Sequence, residues 1–135
     1  MNILMENYAP EVEIKIVMET IAGLIRATPV GNKGLWQRNR GKPESEWRPR
    51  NYVGGTARQS WRIDLNRQYR GKPRVAEVDP LLVLANTKLT DRIYISNPQP
   101  YMEELNNGHS LQAPAGFVEE VIGRVVQKYR GEAIL

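Results

Sequence analysis

The stretch Asp91–Arg130, DRIYISNPQPYMEELNNGHSLQAPAGFVEEVIGRVVQKYR, decides the fold. In Arg92-Ile93-Tyr94-Ile95-Ser96-Asn97, Ile93 and Ile95 alternate with more polar neighbours, the period of a strand. Asn97-Pro98 and Gln99-Pro100 end it, because proline has no N–H for a ladder and restricts the residue before it. The pattern predicts a short helical turn over Tyr101–Leu105, stopped by Asn106-Asn107-Gly108. Pro114 suits a first helical position, where its missing N–H costs nothing. Phe117, Val118, Val121, Ile122, Val125, Val126 and Tyr129 then recur at helical spacing and form one apolar stripe. Glu119 and Glu120 lie early and Arg124, Lys128 and Arg130 late, as the helix dipole favours, and Gly131 is a natural stop. Ala113 offers no side-chain acceptor, so the helix has no visible N-cap.

Upstream, Ile14, Val17, Met18, Ile21, Leu24 and Ile25 fall on one face of a helix predicted from Pro10 to Ala27. Glu11, Lys15 and Glu19 lie four apart on another face, and Thr28-Pro29 closes the element. From Pro29 to Gly55 there are three prolines, five glycines and two tryptophans among many arginines, with no sustained period. This is a long basic loop, either docked on its own domain or ordered against a partner, and Trp36 and Trp47 argue against plain disorder. Gly54-Gly55-Thr56 permits a tight turn into a short helix with Thr56 as its cap. Trp61-Arg62-Ile63-Asp64-Leu65 alternates as a strand with Trp61 a core aromatic, and Asn66–Lys72 is a polar hairpin or loop. Arg74–Val78 is expected to return as a second strand with Val75 and Val78 inward. Asp79-Pro80 opens a helix over Leu81–Ala85, with a buried strand as the rival reading. Two long helices, N- and C-terminal, around a small, mostly antiparallel sheet make an α+β domain.

At 135 residues the chain has the size of a single domain, and 41% hydrophobic with 25% charged residues is ordinary for a soluble protein. No run of about 18 apolar residues marks a membrane span, and MNILMENYAPEVE does not read as a secretion signal. The absence of cysteine excludes a disulfide framework and thiolate metal sites, and points to a reducing compartment. The net charge of +4 is unevenly spread. Arg26–Arg74 holds 13 Lys/Arg against three acids, a balance of +10, and the remainder holds six against twelve, a balance of −6. Such a split fits a nucleic-acid contact, or an oligomer in which a basic face meets an acidic one.

The residues do not assemble a catalytic site. His109 is the only histidine, flanked by Gly108 and Ser110, and lacks a predicted orienting partner for a general base. Glu103-Glu104 and Glu119-Glu120 are adjacent in helices and so point to different faces. Glu77 and Asp79 share a face if Arg74–Val78 is a strand, but no basic residue completes a nuclease-like set. Gly31-x-x-Gly34 and Gly54-Gly55 lack the lysine and hydroxyl of a phosphate loop. Arg38, Arg40, Lys42, Arg48 and Arg50, interleaved with Trp36 and Trp47, are the residue types of interface hot spots and also of backbone-tracking nucleic-acid surfaces. The interface reading is favoured, because interface cores are enriched in both types.

Several phrases, taken in order, resemble a known family. Thr28-Pro29-Val30-Gly31-Asn32, Leu35-Trp36, and Tyr52-Val53-Gly54-Gly55 with Ala57-Arg58 and Trp61 resemble the front half of the tail-completion (neck, or head–tail joining) proteins of tailed bacteriophages. Ile93–Asn97, Pro100-Tyr101, Leu105–Gly108, Ser110 and Gln112–Val118 resemble the back half in the same order. The Gln37–Arg50 loop is longer and more basic than the family's connection, and Arg67–Leu89 has no counterpart in it. The resemblance implies a non-enzymatic, α+β virion component without cofactor or metal. It implies self-association into a ring, often six-fold, at the neck or tail end, joining the DNA-filled head to the tail after assembly in the host cytoplasm. Its expected partners are copies of itself, neighbouring connector and tail proteins, and DNA passing through the channel without sequence-specific contact.

On this reading Trp36, Arg38, Arg40, Trp47, Arg48 and Arg50 make inter-subunit or inter-ring contacts, and Arg67, Arg70 and Lys72 are candidates to face DNA in the lumen. The alternative is a small nonspecific nucleic-acid-binding protein that uses the basic 26–74 segment; a hydrolase with an unrecognised carboxylate site ranks third.

Overall fold

The computed structural model describes residues 2–3, 10–29, 37–48, 50, 55–108 and 115–130. In chain order the elements are β1 (Asn2–Ile3), α1 (Pro10–Ala27), α2 (Thr56–Gln59), β2 (Arg62–Leu65), α3 (Pro80–Ala85), β3 (Ile93–Ser96), α4 (Met102–Asn106) and α5 (Phe117–Lys128). Two single 3-10 turns, Gln37–Asn39 and Glu44–Glu46, lie between α1 and α2. This is the α+β arrangement expected of the sequence, with two long helices packed on a small antiparallel sheet.

The sheet has three strands in the order β1-β3-β2, both pairings antiparallel. β3 is central, with Ile95 opposite Ile63 on one side and opposite Ile3 on the other. The third strand is therefore the N-terminal Asn2–Ile3 and not Arg74–Val78, which is irregular. Val75 and Val78 are three apart, so a period of two cannot turn both inward, and both are exposed. Glu77 is drawn instead to the Arg62 side chain, and Arg74 to Glu77 and the Tyr69 ring.

α1 occupies the span its boundary signals predict, Pro10 to Ala27, and Thr28 ends it by donating both N–H and Oγ1–H to the Leu24 carbonyl. Its buried arc is rotated from the expected one. Val12, Ile16, Thr20 and Gly23 are buried together with Val17, Ile21 and Leu24, while Met18 is exposed. The cause is the approach of α5: a Cβ on Gly23 would lie 2.7 Å from Val121 Cγ1. One core joins Val17, Ile21 and Leu24 of α1 to Trp61, Ile63, Ile93 and Ile95 of the sheet region and to Phe117, Val118 and Val121 of α5. A smaller cluster of Val12, Ile16 and Val125 extends the α1–α5 seam.

α3 begins as predicted, with the Asp79 carboxylate accepting from Leu81 N at 2.9 Å and Pro80 behind it; the buried-strand alternative is excluded. α2 and α5 start differently from expectation. Gly55 (φ 86°) precedes α2 in the left-handed conformation, so Thr56 is its first residue and not its cap. Gly116 (φ 75°) does the same for α5, which starts at Phe117 and not at Pro114; Pro114, like Gly131, lies outside the described residues.

Candidate functional site

The described part of the long loop is folded on itself. Asn39, buried, pairs with Arg48 twice: Nδ2 donates to Arg48 O at 2.7 Å and Oδ1 accepts from Arg48 N at 2.7 Å. This ties the two 3-10 turns together. Trp47 is half-buried and donates Nε1–H to Lys42 O at 2.9 Å. The Arg48 guanidinium donates to Trp47 O at 3.0 Å and Ser45 O at 3.4 Å. Arg38 reaches the body of the protein, its Nε 2.9 Å from Glu104 of α4. Of the six expected contact residues, then, Arg38 pairs with α4, Trp47 and Arg48 make hydrogen bonds within the loop, Arg40 and Arg50 are exposed, and Trp36 lies outside the described residues. His109 and the Gly31/Gly34 pair lie outside them too.

The other expected basic surface is better formed. Asn66, in the left-handed conformation (φ 64°), anchors the start of an arm: its Oδ1 accepts from Arg92 N at 2.8 Å and its Nδ2 donates to Asp91 at 2.9 Å. Two hydrogen bonds, Asn66's first and then that of Lys88 N–H, hold the Asp91 carboxyl below the usual range. At the arm's base the Arg62 guanidinium stacks 3.7 Å from the Tyr69 ring centroid and grips Asp64 with two 2.8 Å contacts. It also meets Glu77 at 3.3 Å, while Arg74 takes the other Glu77 oxygen. Tyr69 Oη–H closes the arm onto Lys72 O at 2.6 Å.

The chemical result is a sorting of charge. Of the acids around the arm, Asp64 and Glu77 are consumed by Arg62 and Arg74, and Asp91 is held by Asn66 and the Lys88 N–H. Arg67, Arg70 and Lys72 are exposed, with no ion-pair partner among the described residues. A concavity of about 390 Å³ lies beside them, lined by Leu65, Gln68 and Tyr69 among others. Three unpaired cations on a clamped arm suit a polyanion backbone, and nothing in the arrangement provides base readout.

Sequence reasoning missed a third surface. Leu81 and Leu82 of α3, Val75 and Val78 before it, and Met18 of α1 are all exposed. Leu81 and Met18 line a groove of about 520 Å³ between α1, α3 and α5, with Arg26, Arg124 and Lys128 at its rim. The neighbouring residues Val78, Asp79 and Pro80 line a second groove of about 360 Å³. The signal was present in Pro80-Leu81-Leu82-Val83-Leu84-Ala85, since a six-residue helix cannot bury so many apolar positions against one core face.

No carboxylate constellation forms among the described residues. Glu104 pairs with Arg38, Glu119 accepts from Asn106 Nδ2, and Glu77 and Asp79 are held by arginines and by the α3 N-terminus respectively. Among the described residues no group of three His, Asp or Glu is placed to hold a metal ion, and no described helix is long and apolar enough to cross a membrane.

The residues that carry the phage-protein resemblance pair with one another. Trp61 Nε1–H donates to Thr28 Oγ1 at 2.7 Å, and Arg58 Nε–H to Thr28 O at 2.9 Å. Buried Asn97 donates Nδ2–H to Ala57 O at 2.8 Å, joining the back-half phrase to the front-half one. Asn106 binds the start of α5 through Gly116 N and Val118 N. These are buried polar links that specify a fold, not groups arranged for chemistry. Compared with protein-family models, curated proteins and solved structures, the chain matches none.

Proposed function

We propose that this chain is a non-enzymatic virion subunit that assembles into a ring, six-fold by its resemblance, at the neck or tail end of a tailed bacteriophage, joining head to tail around passing DNA. The observation that carries the reading is that the ordered phrases coincide with the locking pairs Thr28–Trp61, Asn97–Ala57 and Asn106–Val118. That the phrases are tied together within one core supports reading them as parts of a single pattern. The clamped arm gives the ring a sequence-blind DNA contact through Arg67, Arg70 and Lys72, and the +10/−6 split supplies two unlike edges for head-to-tail closure.

The arm also favours the second reading, a nonspecific nucleic-acid-binding protein, and the two separate experimentally. Electron microscopy of the purified protein and of its parent particle is expected to give rings with a central channel and density at the collar. Replacing Trp36 and Trp47 together by alanine is expected to block head–tail joining while the chain stays folded. A monomer that forms no ring and binds free duplex, its affinity falling steeply with salt, would replace the first reading by the second.

A further inference from the structure

We propose that the arm Asn66–Lys72 holds the phosphate backbone of an intact double helix and offers unstacked bases no platform, with Tyr69 and Gly71 positioning its cations. The inference rests on the nucleic-acid contact that both readings above share, and not on the ring. Surfaces that hold single strands use open aromatic faces, on which successive bases stack. The arm has one aromatic residue, Tyr69, and its ring is engaged within the chain. The Arg62 guanidinium lies over it at 3.7 Å, Arg74 stands 5.8 Å from the same centroid, and the hydroxyl donates to Lys72 O at 2.6 Å. A ring held in this way is a clamp and not a stacking surface.

Gly71 makes the clamp possible. A Cβ at this position would lie 2.5 Å from Tyr69 Oη, 2.6 Å from Cζ and 2.9 Å from Cε2, so any side chain there must displace the ring. Neither residue belongs to the hydrophobic core, so the displacement is felt in the arm and not in the fold. Arg67 and Arg70 stand on either side of Tyr69 in the chain and line one concavity with it, and Lys72 is tied to the ring by its own carbonyl. The clamp thus fixes the backbone that carries the three exposed cations, which spares the arm the ordering cost of a free loop on binding. With the ring closed to bases, charge is what remains to bind. A double helix presents about one phosphate per 1.7 Å of its axis, twice the density of either strand.

Fluorescence anisotropy over a salt series, with a labelled short DNA duplex and an unstructured single strand of the same length, tests this. The duplex is expected to bind about tenfold tighter, with a log–log salt slope of about −2.7 per engaged copy, three cations at about 0.9 each. Arg67→Ala, Arg70→Ala and Lys72→Ala should each remove about 0.9 from that slope, whereas Arg130→Ala, which deletes an exposed cation beyond α5, should remove none. Gly71→Ala is expected to weaken duplex binding severalfold at unchanged melting temperature. It should also narrow the duplex preference, because a displaced ring is open to bases. A single strand that binds as tightly as the duplex, or that loses more affinity than the duplex on Tyr69→Leu, would reveal a stacking site and overturn the proposal. So would a slope that Arg130→Ala changes as much as the arm variants do. Rings in the microscope whose duplex binding ignores every arm variant would strike this inference and leave the ring. The arm's signature in a chain that forms no ring would strike the ring and leave this inference.

Discussion

Asn106, buried at the end of α4, caps α5 from across a loop: its Oδ1 accepts the Val118 N–H at 2.9 Å, and its Nδ2 donates to the Glu119 carboxylate at 2.8 and 2.9 Å. The second helical N–H is one of the four donors that every helix leaves unpaired, and here Gly116 has no side chain to satisfy it. Asn106 also accepts from Gly116 N through its own carbonyl, at 2.6 Å. One residue therefore fixes where α5 begins and how it meets α4.

Asn106→Ala is expected to lower stability by about 2 kcal/mol, since it strands a buried donor as well as removing a cap. Asn106→Asp keeps the acceptor but sets a carboxylate against Glu119, so it too is expected to destabilise. Adding Glu119→Gln should recover part of that loss, because the amide can donate where the carboxylate repels. Urea unfolding of the two single variants and the double gives the coupling directly.

The two buried threonines of the α1 region predict opposite outcomes for one substitution. Thr28 Oγ1 accepts from Trp61 Nε1 and donates to Leu24 O, so Thr28→Val orphans a buried indole N–H and is expected to cost about 1–3 kcal/mol. Thr20 Oγ1 is buried without a hydrogen-bond partner among the described residues, so Thr20→Val is expected to be neutral or to stabilise by about 1 kcal/mol. Thermal melts of the pair check both signs, and equal losses would sink the distinction.

Much of this fold was legible where the signal is local. α1 has the bounds that Pro10 and Thr28-Pro29 set, and α3 starts where Asp79-Pro80 place it. The apolar stripe of α5 is the one its spacing marks, Phe117, Val118, Val121 and Val125 being buried. What escaped is what depends on a distant partner. The Asn106 cap lies twelve residues from the N–H it satisfies, and no local pattern announces it. The edge strand Asn2–Ile3 is two residues long, too short to show a period. The rotation of the α1 face comes from the fit of Val121 over Gly23, although the small pair Thr20 and Gly23 three residues apart hinted at a close helix crossing. At the candidate surfaces, the types of Arg38 and Arg48 mark them as contact formers, and local spacing does not show the partners their guanidiniums find within the chain, Glu104 for Arg38 and the Ser45 and Trp47 carbonyls for Arg48.

The crossing itself is testable with two glycines. Alanine is the better helix former by about 1 kcal/mol, so Gly→Ala in a helix gains unless space forbids it. At Gly23 the new methyl would lie 2.7 Å from Val121 Cγ1, and Val121 is buried with a branched Cβ that leaves it little freedom to turn away. Gly23→Ala is thus expected to destabilise by about 1–3 kcal/mol, the usual cost of overpacking. Gly123 is exposed in α5, and a methyl added there would meet no described atom within 4 Å. Gly123→Ala is therefore expected to raise the melting temperature.

Two carboxylates of α1 give pH dependences of opposite sign. Glu19 is held below the usual carboxylate range chiefly by its hydrogen bond from Lys128, with a second from Tyr129. Its folded state binds a proton less readily than the unfolded chain, so its contribution is present above the unfolded value, about 4.3, and is lost as pH falls through the folded one. Glu13 is pushed up, because burial penalises its charge more than Arg92 nearby favours it. Its contribution is therefore present below the unfolded value and disappears as pH rises through the folded one. Glu19→Gln is expected to lower stability at neutral pH, and Glu13→Gln to raise it. Both differences from wild type should shrink in acid, where the replaced carboxyl is itself protonated. Urea midpoints of the three proteins between about pH 3 and pH 7 measure this, that being the span over which carboxylates titrate. Curves for Glu13→Gln and Glu19→Gln displaced from wild type in the same direction would contradict the assignment of burial to one residue and ion pairing to the other.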